Sequence, residues 1–151
     1  MKRLIILALF CAVAFSQTAG AFLEFGLNPT GGNSDIRVAA GLTGIDLIGG
    51  GSGGGLLFCD MREGGSLLGG YTEKSQSAAL WKDWGVRAAY QKGVCYLTQS
   101  ERGGLLTGAT LSTFWRWLRI DVNYTMATYV RESVLRTTSN WYIGASVGLF
   151  F

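Results

Sequence analysis

The chain has 151 residues, 48% apolar and only 15% charged, with 23 glycines, one proline and no histidine. That composition excludes a solvating disordered chain, and the missing imidazole excludes Ser-His and Cys-His catalysis and most catalytic zinc sites. Glycine at this density disfavours a helical bundle, because each interior glycine costs about 1 kcal/mol of helix stability relative to alanine, so the expectation is a β-rich, membrane-associated protein.

The first segment reads as a leader. Met1-Lys2-Arg3 is cationic, Leu4 to Phe15 is continuously apolar, and Ala19-Gly20-Ala21 is an Ala-x-Ala site. That order is the signature of a secretory signal peptide, and the apolar run falls short of the ~20 residues of a spanning helix. Cleavage after Ala21 divides the chain into a signal peptide, 1–21, and a mature domain, 22–151. Without Lys2 and Arg3 the 13 cationic residues become 11 against 10 acidic ones, so the formal charge falls from +3 to +1. Nothing in that balance supports a nucleic-acid partner. Cys11 leaves with the leader; no cysteine stands directly after its apolar core, so a lipoprotein is not expected. Cys59 and Cys95 remain, and an even pair in an exported protein invites a disulfide.

The mature chain has a period of two residues, the period of a strand with two different faces. Strands are expected at Phe22–Asn28 and Ile36–Leu47, separated by Pro29–Asp35. The glycine tract Gly49–Gly54 reads as a connection, and no Gly-Lys-Ser/Thr follows it, which excludes a Walker-type phosphate loop. Further strands fall at Gly55–Met61 and Ser66–Lys74, around a turn at Arg62–Gly65. After a connection at Ser75–Lys82 comes one long strand, Asp83–Gln99, with Trp84, Val86, Ala88, Tyr90, Val94 and Tyr96 on one parity. Lys92 is the exception on that apolar face. Leu105–Thr113 lies between connections at Ser100–Gly104 and Phe114–Trp117. Leu118–Met126 alternates most sharply, Leu118, Ile120, Val122, Tyr124 and Met126 against Arg119, Asp121, Asn123 and Thr125. Thr128–Ser139 reads as the longest exposed loop, and Asn140–Phe151 as the last strand. A faint repeat relates the segments after Cys59 and Cys95, each a strand, a charged Gly-Gly turn and a return.

Eight alternating strands close most simply as an all-β, up-and-down antiparallel barrel, since closure removes the sheet edges. A soluble barrel turns its apolar parity inward; a membrane barrel turns it outward. The polar parity carries Glu24, Arg37, Arg87, Arg119 and Asp121, a set expected to pair inside a narrow lumen. Tryptophans gather near strand ends (Trp81, Trp84, Trp115, Trp117 and Trp141), as interfacial girdles do. Cys59 and Cys95 fall on strands three and five. Two strand spacings make about 10 Å, beyond disulfide reach unless the side chains meet across the lumen.

With its leader, about 130 mature residues, alternating strands and terminal Trp141-Tyr142-Ile143-Gly144-Ala145-Ser146-Val147-Gly148-Leu149-Phe150-Phe151, the chain resembles the small eight-stranded outer-membrane barrels of Gram-negative bacteria. The resemblance implies a transmembrane β-barrel in the outer membrane, surrounded by membrane lipid and lipopolysaccharide. It also implies that Val147, Leu149 and Phe151 form the signal read by the barrel-assembly machinery. Arg131, Glu132 and Arg136 then lie on an outward loop, suited to lipopolysaccharide phosphates or a host surface. The role expected is structural or adhesive, without catalytic, metal or cofactor residues. A secreted avidin- or lipocalin-like barrel holding a hydrophobic ligand is the alternative. A lipid-modifying outer-membrane enzyme is the third reading, although the resemblance implies a histidine that is absent.

Overall fold

The computed structural model describes residues 20–30, 35–47, 51–61 and 65–150, which form eight strands and no helix: β1 (Gly20–Leu27), β2 (Ile36–Leu47), β3 (Gly51–Met61), β4 (Gly65–Trp81), β5 (Trp84–Leu97), β6 (Arg102–Trp115), β7 (Leu118–Arg131) and β8 (Val134–Phe150). Each strand pairs antiparallel with its chain neighbour, and β8 pairs with β1, so the sheet is a closed up-and-down barrel. Of the proposed leader only Gly20 and Ala21 are described; they open β1 opposite Thr43 and Leu42, so cleavage after Ala21 would remove its first two residues.

The stagger of the strands sets the diameter. Gly20 pairs Thr43, Thr43 pairs Gly53, and the row continues through Glu73, Gln91, Gly108 and Thr125 to Asn140. Extending the β8–β1 register returns that row to Thr30, ten residues beyond its start. At about 3.3 Å per residue and about 4.8 Å between strands, this stagger over eight strands tilts them by about 40°. A barrel of that size has room inside for side chains or one small ligand.

The end where Gly20 meets Phe150 is here termed proximal, and the opposite end distal. Connections after β1, β3, β5 and β7 lie distally, and those after β2, β4 and β6 proximally.

Strands run further than the composition of their ends suggests. Ser75–Lys82, expected as a connection, is strand as far as Trp81, and only Lys82 and Asp83 turn. The tract expected as a glycine connection is strand from Gly51, because glycine there allows β2 and β3 to approach closely. A Cβ on Gly53 would lie 2.4 Å from the Leu42 carbonyl oxygen. Phe114 and Trp115 belong to β6, which leaves Arg116 and Trp117 as the turn. The expected loop Thr128–Ser139 is a hairpin: β7 continues to Arg131, Glu132 and Ser133 turn, and β8 starts at Val134. Its threonines and valines suit a pleated ladder, and residues 130–137 are exposed on both parities, so the hairpin stands clear of the barrel.

Side-chain direction follows the pleat. β1 alternates buried and exposed along its whole length, and on β7 Arg119, Asp121, Asn123, Thr125, Ala127 and Tyr129 are buried. Leucine, isoleucine, valine and aromatic side chains dominate the outside, with Leu111 62% and Leu56 68% exposed.

Candidate functional site

The interior holds six buried charges among the described residues, three acids and three arginines. Arg37 on β2 pairs with Glu24 on β1, Nε to Oε1 at 2.7 Å, and its Nη1 donates to Thr125 on β7 at 2.9 Å. Asn123 Nδ2 donates to the same Glu24 oxygen at 2.9 Å, while Thr110 donates to Asn123 Oδ1 at 2.6 Å. Arg119 pairs with Asp121 at 2.9 Å on one strand, donates to Ser146 Oγ at 2.8 Å, and stands 4.7 Å from the Phe22 ring centroid. Ser112 and Ser146 both donate to Asp121. Arg87 on β5 pairs with Glu73 on β4 and donates to Thr43 at 3.1 Å. These six buried charges balance, each pair bridging strands or held by neighbouring hydroxyls, as buried charge requires.

Toward the distal end this polar ladder gives way to an apolar plug. Leu57, Cys59 and Met61 from β3 pack with Leu67, Cys95, Leu97, Leu106, Ala127 and Tyr129. Tyr142 closes that cluster, and its hydroxyl donates to the Asp60 carbonyl. Beside the plug, Asn28 and Asn140 bond to each other at 2.6 Å and both donate to Asp35 Oδ2. Among the described residues, buried side chains thus occupy both halves of the lumen.

Cys59 and Cys95 are free and buried. Cys59 lies opposite Leu67 and Cys95 opposite Gly69, with β4 between them, and the thiols do not meet across the lumen.

The outer wall carries aromatics at two levels. Trp81, Trp84, Trp115 and Trp117 are exposed at the proximal end. Lys82 and Arg116 sit over the Trp81 and Trp115 rings, and Arg116 pairs with Asp83 at 3.0 Å. Distally stand Tyr96, Tyr124 and Trp141, the last two with ring centroids 4.8 Å apart. Trp141 lies near the other end from Trp84, because β8 starts distally and runs back to the proximal end whereas β5 starts proximally. From Trp84 to Tyr96 along β5 is about 30 Å of axial height at the tilt above.

Of the residues singled out in the sequence, Glu24, Arg37, Arg87, Arg119 and Asp121 are all buried in the lumen, and Arg131, Glu132 and Arg136 are exposed on the β7–β8 hairpin. Val147 faces outward; Leu149 pairs with Ala21, and Phe151 lies outside the described residues. Glu73, the partner of Arg87, and the hydroxyls of Thr43, Thr110 and Ser112 were not singled out in the sequence, whereas Asn123 and Thr125 stand on the polar parity of β7 where the sequence put them. Their inward parity was the available signal on β7, but Glu73 had none, since its neighbour Lys74 is also charged. No protein-family model, no curated protein and no solved structure matches the chain significantly.

Proposed function

We propose that the chain is a non-enzymatic integral outer-membrane β-barrel with a structural or adhesive role in the envelope. The observation that carries the reading is the inversion of the wall: apolar side chains cover the outside while arginines and carboxylates pair within. In water that arrangement would expose a continuous apolar surface far beyond the patches soluble monomers tolerate. In a bilayer it is the stable one, and the two aromatic levels are separated by about the thickness of a hydrocarbon core. A soluble ligand-carrying barrel would turn its apolar parity inward, whereas here the proximal half of the lumen is lined by paired charges. On this reading the proximal end, with its two-residue turns at Lys82-Asp83 and Arg116-Trp117, faces the periplasm, and the projecting β7–β8 hairpin faces outward, where Arg131, Glu132, Arg136 and exposed Leu135 offer a contact surface. Assembly-machinery recognition of Val147, Leu149 and Phe151 belongs to the same proposal.

Leu111→Arg tests it. Leu111 faces outward near mid-height, and an arginine there costs about 2–4 kcal/mol in the middle of a bilayer but within about 0.5 kcal/mol on a water-exposed surface. The expected result is a variant that unfolds at markedly lower urea than wild type in lipid vesicles. A wild-type chain that stays a soluble monomer without detergent, with Leu111→Arg equally stable, overturns the proposal.

A further inference from the structure

Among the described residues, charge interrupts the apolar outer wall on β4 and β5. Between the two aromatic levels, the charged side chains facing outward among the described residues are Lys74 on β4 and Lys92 on β5. Asp60 stands only at the distal edge of that band, accepting from Ser66 Oγ at 2.7 Å. Lys92 is flanked in its cross-strand row by Thr72 and Thr107. The Thr72 hydroxyl makes a long contact of 3.4 Å to the Lys92 carbonyl, and the Lys92 ammonium has no partner among the described residues.

That row crosses a groove of about 630 Å³ in the wall, floored by Gly55, Gly70 and Gly93 and bordered by Val94 and Leu105. The glycines differ in what they do. A Cβ on Gly93 would lie 2.0 Å from the Gly70 carbonyl oxygen, so there glycine is needed for β4 and β5 to close up. A Cβ on Gly70 would meet nothing nearer than 3.9 Å; its side of the groove is open space that the fold does not require.

We propose that this groove binds a lipid, one acyl chain lying over the glycine floor and its anionic phosphate held by Lys92 with the Thr72 and Thr107 hydroxyls. The proposal rests on the membrane reading above. Lys92 lies four residues from Tyr96 on β5, about 10 Å below it along the barrel axis, and an extended lysine side chain covers most of that depth to reach the headgroup level. A second copy of the chain is the poorer occupant. Among the described residues it offers no outward acid inside the band to meet Lys92, and a two-fold contact through this face would bring two lysines together. A lipid phosphate supplies the missing charge at the depth where it already resides.

The test uses the full mature barrel in detergent, with phosphatidylglycerol, phosphatidylcholine and inorganic phosphate as probes and native mass spectrometry as the readout. Wild type should retain one phosphatidylglycerol in preference to phosphatidylcholine, and inorganic phosphate should not displace it. Lys92→Gln should weaken phosphatidylglycerol retention about tenfold, the loss of one charge-assisted contact. Gly70→Leu should abolish retention of both lipids by filling the groove, and Lys74→Gln should change nothing. Retention unchanged in folded Lys92→Gln and Gly70→Leu overturns the proposal, as does displacement by inorganic phosphate or a dimer in place of the lipid adduct. Wild type that inserts into vesicles but shows no lipid preference overturns this inference alone; failure to insert overturns the membrane reading with it.

Discussion

Arg119 and Asp121 stand two residues apart on one face of β7, and their side chains form an ion pair at 2.9 Å with 3% and 0% of their side-chain surfaces exposed. Asp121 also accepts from Ser112 on β6 and Ser146 on β8, so a single carboxylate ties three consecutive strands. Such a pair contributes less by its attraction than it costs when broken, because the remaining charge has lost its hydration. Arg119→Leu should therefore destabilise the barrel by about 3 kcal/mol, the low end of the range for a broken buried pair, since two serines still donate to the carboxylate. Adding Asp121→Asn should recover part of the loss. Urea unfolding in vesicles checks both; an unchanged midpoint for the single variant counts against the pair's contribution.

Gly55 and Gly103 make a controlled comparison. A Cβ at Gly55 would fall 2.2 Å from the Ala40 carbonyl oxygen and 2.7 Å from Gly41 Cα, both backbone atoms that cannot move aside. At Gly103 the nearest contact is 3.9 Å. Gly55→Ala should part β2 from β3 and lower the unfolding midpoint sharply or prevent folding. Gly103→Ala should be neutral or stabilise by up to about 1 kcal/mol through the unfolded chain. Equal melting temperatures for the two variants would contradict the close approach.

Both cysteines of the barrel are free thiols within the apolar plug. The folded protein should resist a maleimide reagent at Cys59 and Cys95, and both should react once it is unfolded. Migration in a denaturing gel should be the same with and without reductant. A reductant-dependent shift would mean that the two are bonded after all.

How much of this architecture the sequence exposes depends on contrast between the two faces of each strand. On β5 and β7 one parity is greasy and the other polar, so Arg87, Arg119 and Asp121 could be assigned to a lumen from the sequence. β3 has no such contrast, since Leu57, Cys59 and Met61 face inward while Leu56 and Phe58 face out. The apolar plug was hidden for that reason, and with it the division of the interior into a polar and an apolar half. On β4 the neighbours Glu73 and Lys74 are both charged, and only the register, which sets Glu73 beside Gln91 and in reach of Arg87, distinguishes the inner from the outer one. Register is a property of closure around all eight strands. The ten-residue stagger that results is not written in any local window.

The turns were obscure for a different reason, and they offer the last test. Two-residue hairpins with both central residues at positive φ favour Asn-Gly, because a side chain with a Cβ is strained in that conformation. The β7–β8 turn instead holds Glu132 at φ 53° and Ser133 at φ 64°, neither of them a residue that announces a tight turn. Its exposed, polar surroundings then resemble a loop, although Arg131 and Val134 are already paired. Replacing the pair with Glu132→Asn and Ser133→Gly should relieve the left-handed strain, about 1–2 kcal/mol per residue at most, and raise the melting temperature. The same change would also remove a charge from the hairpin tip, so a rise that persists at high salt assigns the gain to the backbone. A lower melting temperature would mean that Glu132 makes a stabilising contact that outweighs its strain.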